Sequence, residues 1–290
     1  MESRGISQVV SDERMKVFVS IMDKVSDVHR MKYDNNGLRN IFGHTVVRLD
    51  KMEIPLDWVV YDYNTQGGYD RGVESFGGTI GRVVEENGQV SNIHIQVMSV
   101  FGKIDKAKLS EVIQHELSHA WEKINYGKTY QGMELYNAAV EELMGNGNVY
   151  LSAVGNIFYM YKRFEDRAYG NGAYAYLMSH PQRDNIIDRI KETELYGAYT
   201  TICQQLELLK RKHCYNENAT FAFDYINKRF GISRDKIISL GERTVKYLEH
   251  IIKRTMRQVE NDILKDQIKH TVSPYRFFNK AKQFFTGGKV

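Results

Sequence analysis

Three residues in one short segment have the types and spacing of a metal-dependent hydrolase. Residues 109–124 read LSEVIQHELSHAWEKI, in which His115, Glu116 and His119 form the pattern H-E-x-x-H. On a helix, positions i and i+4 stand one above the other, so both imidazoles can bind a single zinc ion while Glu116 points toward the zinc-bound water. The segment therefore predicts a zinc site with His115 and His119 as ligands and Glu116 as the general base.

The residues around the motif favour a helix that packs near a strand. Apolar residues recur there at helical spacing: Leu109, Val112, Ile113 and Ala120. Residues 93–97, IHIQV, alternate in character as a strand does, and they end shortly before the motif. We expect this strand to be an edge strand of the active site that pairs with an extended substrate.

A third ligand must come from later in the chain, because a catalytic zinc ion has three protein ligands and a water. The metzincin continuation H-x-x-G-x-x-H is absent, since His119 is followed by AWEKINY. The predicted ligand is Glu165, which shares one helix face with Phe158, Tyr161, Ala168 and Gly172. Zinc would offset the cost of burying this carboxylate, and the small residues at 168 and 172 would let the two helices approach closely.

Other groups remain open as third ligands. Glu141 and Glu142 lie in NAAVEELMGNG, nearer to the motif along the chain than Glu165. Their helix is predicted to end within a turn, at the glycines that follow, which favours Glu165. His180, or the absence of a third protein ligand, completes the alternatives.

The motif and the later acid resemble the gluzincin branch of zinc metallopeptidases, in which a second helix after H-E-x-x-H supplies a glutamate ligand. The resemblance covers residues 55–180 and implies a zincin-like fold in which His115, His119 and Glu165 bind zinc. It also implies that Glu116 takes a proton from the water and later gives it to the leaving group.

The expected reaction is peptide-bond hydrolysis without a covalent intermediate. Zinc would polarise the scissile carbonyl, and Glu116 would accept the proton of the attacking water. The developing oxyanion requires a donor; the candidates are Tyr169, Tyr174, Tyr176 and His180, of which Tyr169 is the predicted catalytic residue. Tyr169 also stands where some gluzincins carry an acid that orients a ligand histidine.

The order of elements predicts an α+β fold. An amphipathic helix over residues 11–30 is followed by strands over 56–63, 78–84 and 89–98, and helical periods dominate after residue 105. Asn87-Gly88 predicts a hairpin between the last two strands. We therefore expect a small, mainly antiparallel sheet packed on the H-E-x-x-H helix, followed by a helical C-terminal region.

Four segments follow from these patterns. They are an N-terminal helix and lead-in (1–54), the zincin-like metallopeptidase domain (55–180), a helical C-terminal region (181–270) and a basic aromatic tail (271–290). The glycines at positions 67, 68, 72, 77, 78 and 81 match neither common phosphate-binding pattern, so we interpret them as loop and turn residues.

The charge distribution argues against nucleic acid as a partner. The 290 residues carry a net charge of +4, and residues 270–290 contain four Lys or Arg and no acid, so the rest of the chain is neutral. No apolar run is long enough for a membrane span, and the N-terminal segment lacks the apolar stretch of a signal peptide. We expect a soluble cytoplasmic protein without membrane contact, with its two cysteines reduced.

The last part of the chain favours assembly. Residues 235–269 predict an amphipathic helix of about 50 Å, and the tail 271–290 would place phenylalanines opposite lysines if it is helical. Both features predict an oligomer or a larger assembly. The Tyr- and Asn-rich, Pro-poor composition with a metallopeptidase-like core also resembles virion proteins of crAss-like bacteriophages. That resemblance implies an alternative function as a structural subunit, such as a ring or tail component of a virion, with little or no activity.

Overall fold

After a first helix, the fold has its strands early in the chain and its other helices after them. The computed structural model describes residues 6–28, 30–35, 37–64, 79–87, 89–100, 103–126, 134–161, 163–179, 186–211 and 217–271. The first half contains α1 (Ile6–Val28), β1 (Leu38–Leu49), β2 (Met52–Tyr63), β3 (Thr79–Glu86), β4 (Gln89–Val100) and α2 (Lys106–Tyr126). Then follow α3 (Glu134–Leu143), α4 (Val149–Tyr161), α5 (Arg163–Ser179), α6 (Ile186–Ile190), α7 (Glu194–Lys210), α8 (Glu217–Phe230) and α9 (Arg234–Thr271). The predicted α+β class is confirmed.

The four strands form one mixed sheet in the order β1-β2-β4-β3. Strands β1 and β2 pair antiparallel, β2 and β4 pair parallel, and β3 and β4 pair antiparallel. Glu86 pairs with Gln89, and Asn87 has a φ of 53°, so the predicted Asn87-Gly88 hairpin is confirmed. The sheet is mixed because β4 enters between β2 and β3 instead of following at the edge.

The prediction that residues 93–97 form the edge of the sheet is wrong. These residues belong to β4, which is paired on both sides, and the edge next to the motif helix is β3. Their alternating pattern has a different cause. Ile93, Ile95 and Val97 are buried in the core, whereas His94 and Gln96 face the other side of the sheet. Alternation reports a strand with two unlike faces, and it does not report how many neighbours the strand has.

Strand β1 was not anticipated, because residues 38–49 lie in the segment interpreted as a lead-in. The tight connection from β1 to β2 passes through Asp50, which has a φ of 56°. Strand β2 begins at Met52, so the proposed boundary between residues 54 and 55 falls inside it. The sheet therefore continues into the N-terminal segment.

Helix α2 lies between two hydrophobic cores. One core joins α1 and the sheet to the apolar face of α2, which carries Leu109, Val112, Ile113, Leu117 and Ala120. The other core is formed by the helices from α3 to α9, with Ala107 of α2 at its border. This position explains why most of α2 is buried, including its polar residues. A polar side chain on such a helix faces a neighbouring element instead of bulk water.

The long helix predicted over residues 235–269 is confirmed as α9, which has 38 residues. It packs against α4, α5 and α7. The tail predicted over residues 271–290 lies outside the described residues, except for Thr271 at the end of α9. Among the described helices, none combines the length and the hydropathy needed to cross a membrane.

Candidate functional site

The three residues of the H-E-x-x-H motif lie near the middle of α2. His115, Glu116 and His119 are 8%, 7% and 8% exposed. The motif is therefore on a helix, as predicted, and its polar groups are largely shielded from water. Low solvent access strengthens electrostatic interactions at such a site, so the protonation and the partners of these groups matter more than on a surface helix.

The two imidazoles approach each other through the same ring nitrogen. His115 Nε2 and His119 Nε2 are 3.0 Å apart, and the ring planes are inclined by 76°. Two Zn–N bonds of 2.0–2.1 Å at a tetrahedral angle would separate the nitrogens by about 3.3 Å. The pair therefore fits two ligands of one zinc ion. Without an ion, the same distance suits a hydrogen bond in which one ring donates to the other.

The edge strand β3 lies directly against Glu116. A Cβ atom built on Gly81 would be 2.1 Å from Glu116 Cγ and 2.7 Å from Glu116 Oε1, which is closer than real atoms approach. The Glu116 carboxyl group therefore occupies the space of the side chain that Gly81 lacks. The sequence alone favours a loop residue at this position, whereas the structure places Gly81 inside β3. A glycine inside a strand pattern is the signal that was available, because it often marks a close approach.

Helix α5 packs against the other side of the motif. A Cβ atom on Gly172 would be 3.0 Å from the Glu111 carbonyl oxygen and 3.6 Å from His115 Cβ, and Ala168 is fully buried. The predicted close approach of α5 to α2 through these small residues is thereby confirmed. Asn171 Nδ2 donates to Ser118 Oγ at 3.1 Å, which adds a polar contact between the two helices.

Tyr169 is the tyrosine candidate found beside the histidines. Its ring centroid is 4.7 Å from that of His115, with the planes inclined by 77°. Tyr174 instead donates to Asp262 of α9, and Tyr176 donates to Glu192 after α6. The three tyrosines follow one another along α5 but serve different neighbours. His180, the fourth candidate donor, lies outside the described residues.

The third-ligand prediction is not decided by the described side chains. Glu165 belongs to α5, one helical turn before Tyr169, but its side chain lies outside the described part of the chain. Among the described side chains, no group of three His, Cys, Asp or Glu is arranged to hold a metal ion. Of the alternatives, Glu141 is exposed on α3, and Glu142 is held by Tyr225 and Arg229 of α8.

A second group of polar residues lies one turn before the histidines on α2. The Glu111 carboxylate accepts from Lys108 Nζ at 2.9 Å and from the backbone N–H of Glu194 at 2.8 Å, so it caps the first turn of α7. Burial raises the pKa of Glu111, although Lys108 opposes the rise. Burial also raises the pKa of Glu194 to about 7, and the carboxylates of Glu111 and Glu116 add to this rise.

Sequence reasoning missed Glu111 and Glu194. No spacing in the sequence relates a residue of α2 to one that is 83 positions later. A buried acid with a raised pKa near a motif of this kind is a feature of functional sites, although structural clusters share it.

The site as described contains a converging histidine pair, an acid under an edge strand and a tyrosine beside the first histidine. Comparison with protein-family models, with curated proteins and with solved structures finds no match to this chain. The chemistry of the site is therefore judged from its own residues.

Proposed function

We propose that this protein is a zinc-dependent peptidase of the gluzincin type. The observation that supports it most is the pair of Nε2 atoms 3.0 Å apart on one buried helix, with Glu116 of the same helix against an edge strand. His115 and His119 would bind the zinc, and Glu165 would be the third ligand. These donors suit zinc, which takes imidazole nitrogen and carboxylate oxygen in catalytic sites.

In the proposed reaction, the residues of this chain hold and move protons. Zinc bound by the histidines would polarise the scissile carbonyl and lower the pKa of its water to about 7. Glu116 would accept a proton from that water and deliver it to the leaving amine. The phenol of Tyr169, next to His115, would donate to the oxyanion. Glu111 and Glu194 would hold α7 against α2 without touching the substrate.

The proposed substrate is a peptide in extended conformation. Strand β3 pairs with β4 on one side, and among the described strands nothing pairs with its other side. An extended peptide can add to such an edge through its backbone, which gives affinity with little demand on sequence. Because Gly81 of β3 lies against Glu116, a peptide on this edge would pass close to the general base.

Metal analysis and mutagenesis test this function. The purified protein is expected to hold about one zinc ion per chain, and replacing both histidines (His115→Ala, His119→Ala) should remove it. Glu116→Gln should keep the zinc and lower peptide cleavage by about 10²- to 10⁴-fold. Equal zinc content in the double variant and the parent would refute the metal site. A parent that cleaves nothing in a broad peptide library would refute the peptidase.

A second candidate function is a structural subunit of a large assembly, and α9 favours it. This helix has 38 residues, and Leu264 and Tyr247 are 54% and 40% exposed on it. In that case the zinc would only stabilise the fold, and the protein would act in a virion instead of the cytoplasm. Light scattering distinguishes the two. A monomer at micromolar concentration that is unchanged by deletion of residues 271–290 would argue against self-association.

A further inference from the structure

The inner face of strand β3 approaches the motif helix at Gly81. Gly81 pairs with Ile95 of β4, and directly paired residues of an antiparallel pair point to the same face of the sheet. Ile95 is buried in the core between the sheet and α2. The missing side chain of Gly81 therefore points toward α2, where the Glu116 carboxyl group lies.

We infer that Gly81 is a positioning residue for the Glu116 carboxylate, an inference that rests on the proposed peptidase function. A Cβ atom at this position would be 2.1 Å from Cγ, 2.6 Å from Cδ and 2.7 Å from Oε1 of Glu116. The strand backbone thus limits the carboxylate on one side, while α2 holds its Cβ on the other. Any residue other than glycine forces the carboxylate or the strand to move.

The clash involves the inner part of the Glu116 side chain as well as its end. Cγ is one bond from Cβ, which the helix fixes, so a small rotation of the terminal carboxylate does not relieve the contact. An alanine at position 81 must therefore change the conformation of Glu116 or push β3 away from α2. Either movement displaces the carboxylate from the water that it has to deprotonate.

The chain offers a matched control at the opposite edge of the sheet. A Cβ atom on Gly43 of β1 would also be 2.1 Å from a buried side chain, in this case Cζ2 of Trp58. Gly43→Ala therefore creates a clash of similar severity in a strand of the same sheet. Trp58 belongs to the apolar core and has no part in the proposed reaction, so this variant measures the cost of the clash alone.

The first measurement compares the kinetics and zinc content of the two variants. Gly81→Ala should lower kcat by about 100-fold, the effect expected when a catalytic group is displaced by about 1 Å. KM and zinc content should stay near the parent values, because the histidines are not in contact with the new methyl group. Gly43→Ala should keep kcat within about twofold in its folded fraction. A kcat for Gly81→Ala within twofold of the parent overturns the inference.

The second measurement needs no catalytic activity. Gly81→Ala should lower the midpoint of denaturant unfolding in the parent, but much less in a Glu116→Ala background, where the clashing atoms are gone. Gly43→Ala should lower the midpoint of denaturant unfolding by the same amount in both backgrounds. Equal costs of Gly81→Ala in both backgrounds overturn the inference, even if the parent is an active peptidase. An inactive parent with a strong Gly81–Glu116 coupling would instead refute the peptidase and support the positioning contact.

Discussion

The two edge strands of the sheet, β1 and β3, differ in the side-chain hydrogen bonds that their backbones receive. At the β1 edge, side chains of α1 bond to the free backbone groups: Lys16 Nζ donates to the Val46 carbonyl at 2.6 Å, and the Arg48 N–H donates to Glu13 Oε2 at 2.9 Å. At the β3 edge, the one side-chain hydrogen bond to the backbone among residues 81–86 comes from Ser91 of the neighbouring strand. The β1 edge is thus capped, whereas among the described residues no other element bonds to the backbone of the β3 edge.

Exposed strand edges invite unwanted pairing, so proteins usually cover or charge them. Helix α1 covers the β1 edge in this way, whereas the described part of the chain leaves the β3 edge, beside Glu116, without such a cover. Both edges contain a glycine that admits a large side chain, which is Trp58 at β1 and Glu116 at β3. A glycine that makes room for a neighbouring side chain therefore serves core packing at one edge and, in our proposal, the positioning of the general base at the other.

The largest expected effect is on zinc binding. It tests whether Glu165 completes the proposed metal site beside β3. Glu165→Ala should weaken zinc binding by more than about 100-fold, which is the upper end of the loss caused by outer-shell partners. Glu142→Ala is the control, because its carboxylate is held by Tyr225 and Arg229. Zinc competition with a chelator measures both. A larger loss in Glu142→Ala would move the third ligand to α3 and refute Glu165.

The next effect concerns the pH dependence of stability, which should have opposite signs for two acids in different parts of the molecule. Glu194, which faces Glu111, Lys108 and Glu116, has a pKa raised from 4.5 to about 7, first by burial. The native state then keeps a proton that the unfolded chain loses. Its stabilising contribution is full below pH 4.5 and is lost as the pH rises to about 7, by at most about 3 kcal/mol.

The variant Glu194→Gln removes this titration. The unfolding free energy of Glu194→Gln, relative to that of the parent, should therefore increase as the pH rises from 4.5 to 7. Denaturant titrations at several pH values measure this difference. Glu53 at the β1–β2 end is the comparison, since its hydrogen bond with Arg48 lowers its pKa. The contribution of Glu53 is lost as the pH falls below 4.5, so the unfolding free energy of Glu53→Gln relative to the parent should fall as the pH rises toward 4.5 and stay constant above it. A difference between parent and Glu194→Gln that does not vary with pH would contradict the buried acid.

The smallest effect tests the capped edge. Lys16→Ala removes the donor to the Val46 carbonyl, and it should cost about 0.5–1.5 kcal/mol of unfolding free energy, the usual net value of a hydrogen bond. The catalytic rate should not change. Lys24→Ala is the matched control on α1, because Lys24 forms an ion pair with Asp27 on the exposed surface of the same helix. Equal costs in the two variants would mean that capping of β1 contributes nothing measurable.

Much of the local structure could be predicted from the sequence. The H-E-x-x-H helix, the Asn87-Gly88 hairpin, the close approach of α5 through Gly172 and the long helix α9 each leave a pattern within a few neighbouring residues. Periodicity, turn chemistry and small side chains act over one or two turns of chain, so one sequence is enough to recognise them.

Strand order and long-range contacts were decided by the tertiary structure. The alternation of residues 93–97 is the same for an edge strand and an interior one, so it could not show that β3 is the edge. The fit of Glu116 over Gly81, and the capping of α7 by Glu111, join residues that are 35 and 83 positions apart. Such contacts depend on how whole elements pack, and no spacing within the sequence encodes them. The motif predicts the chemistry, whereas packing determines which edge of the sheet adjoins it.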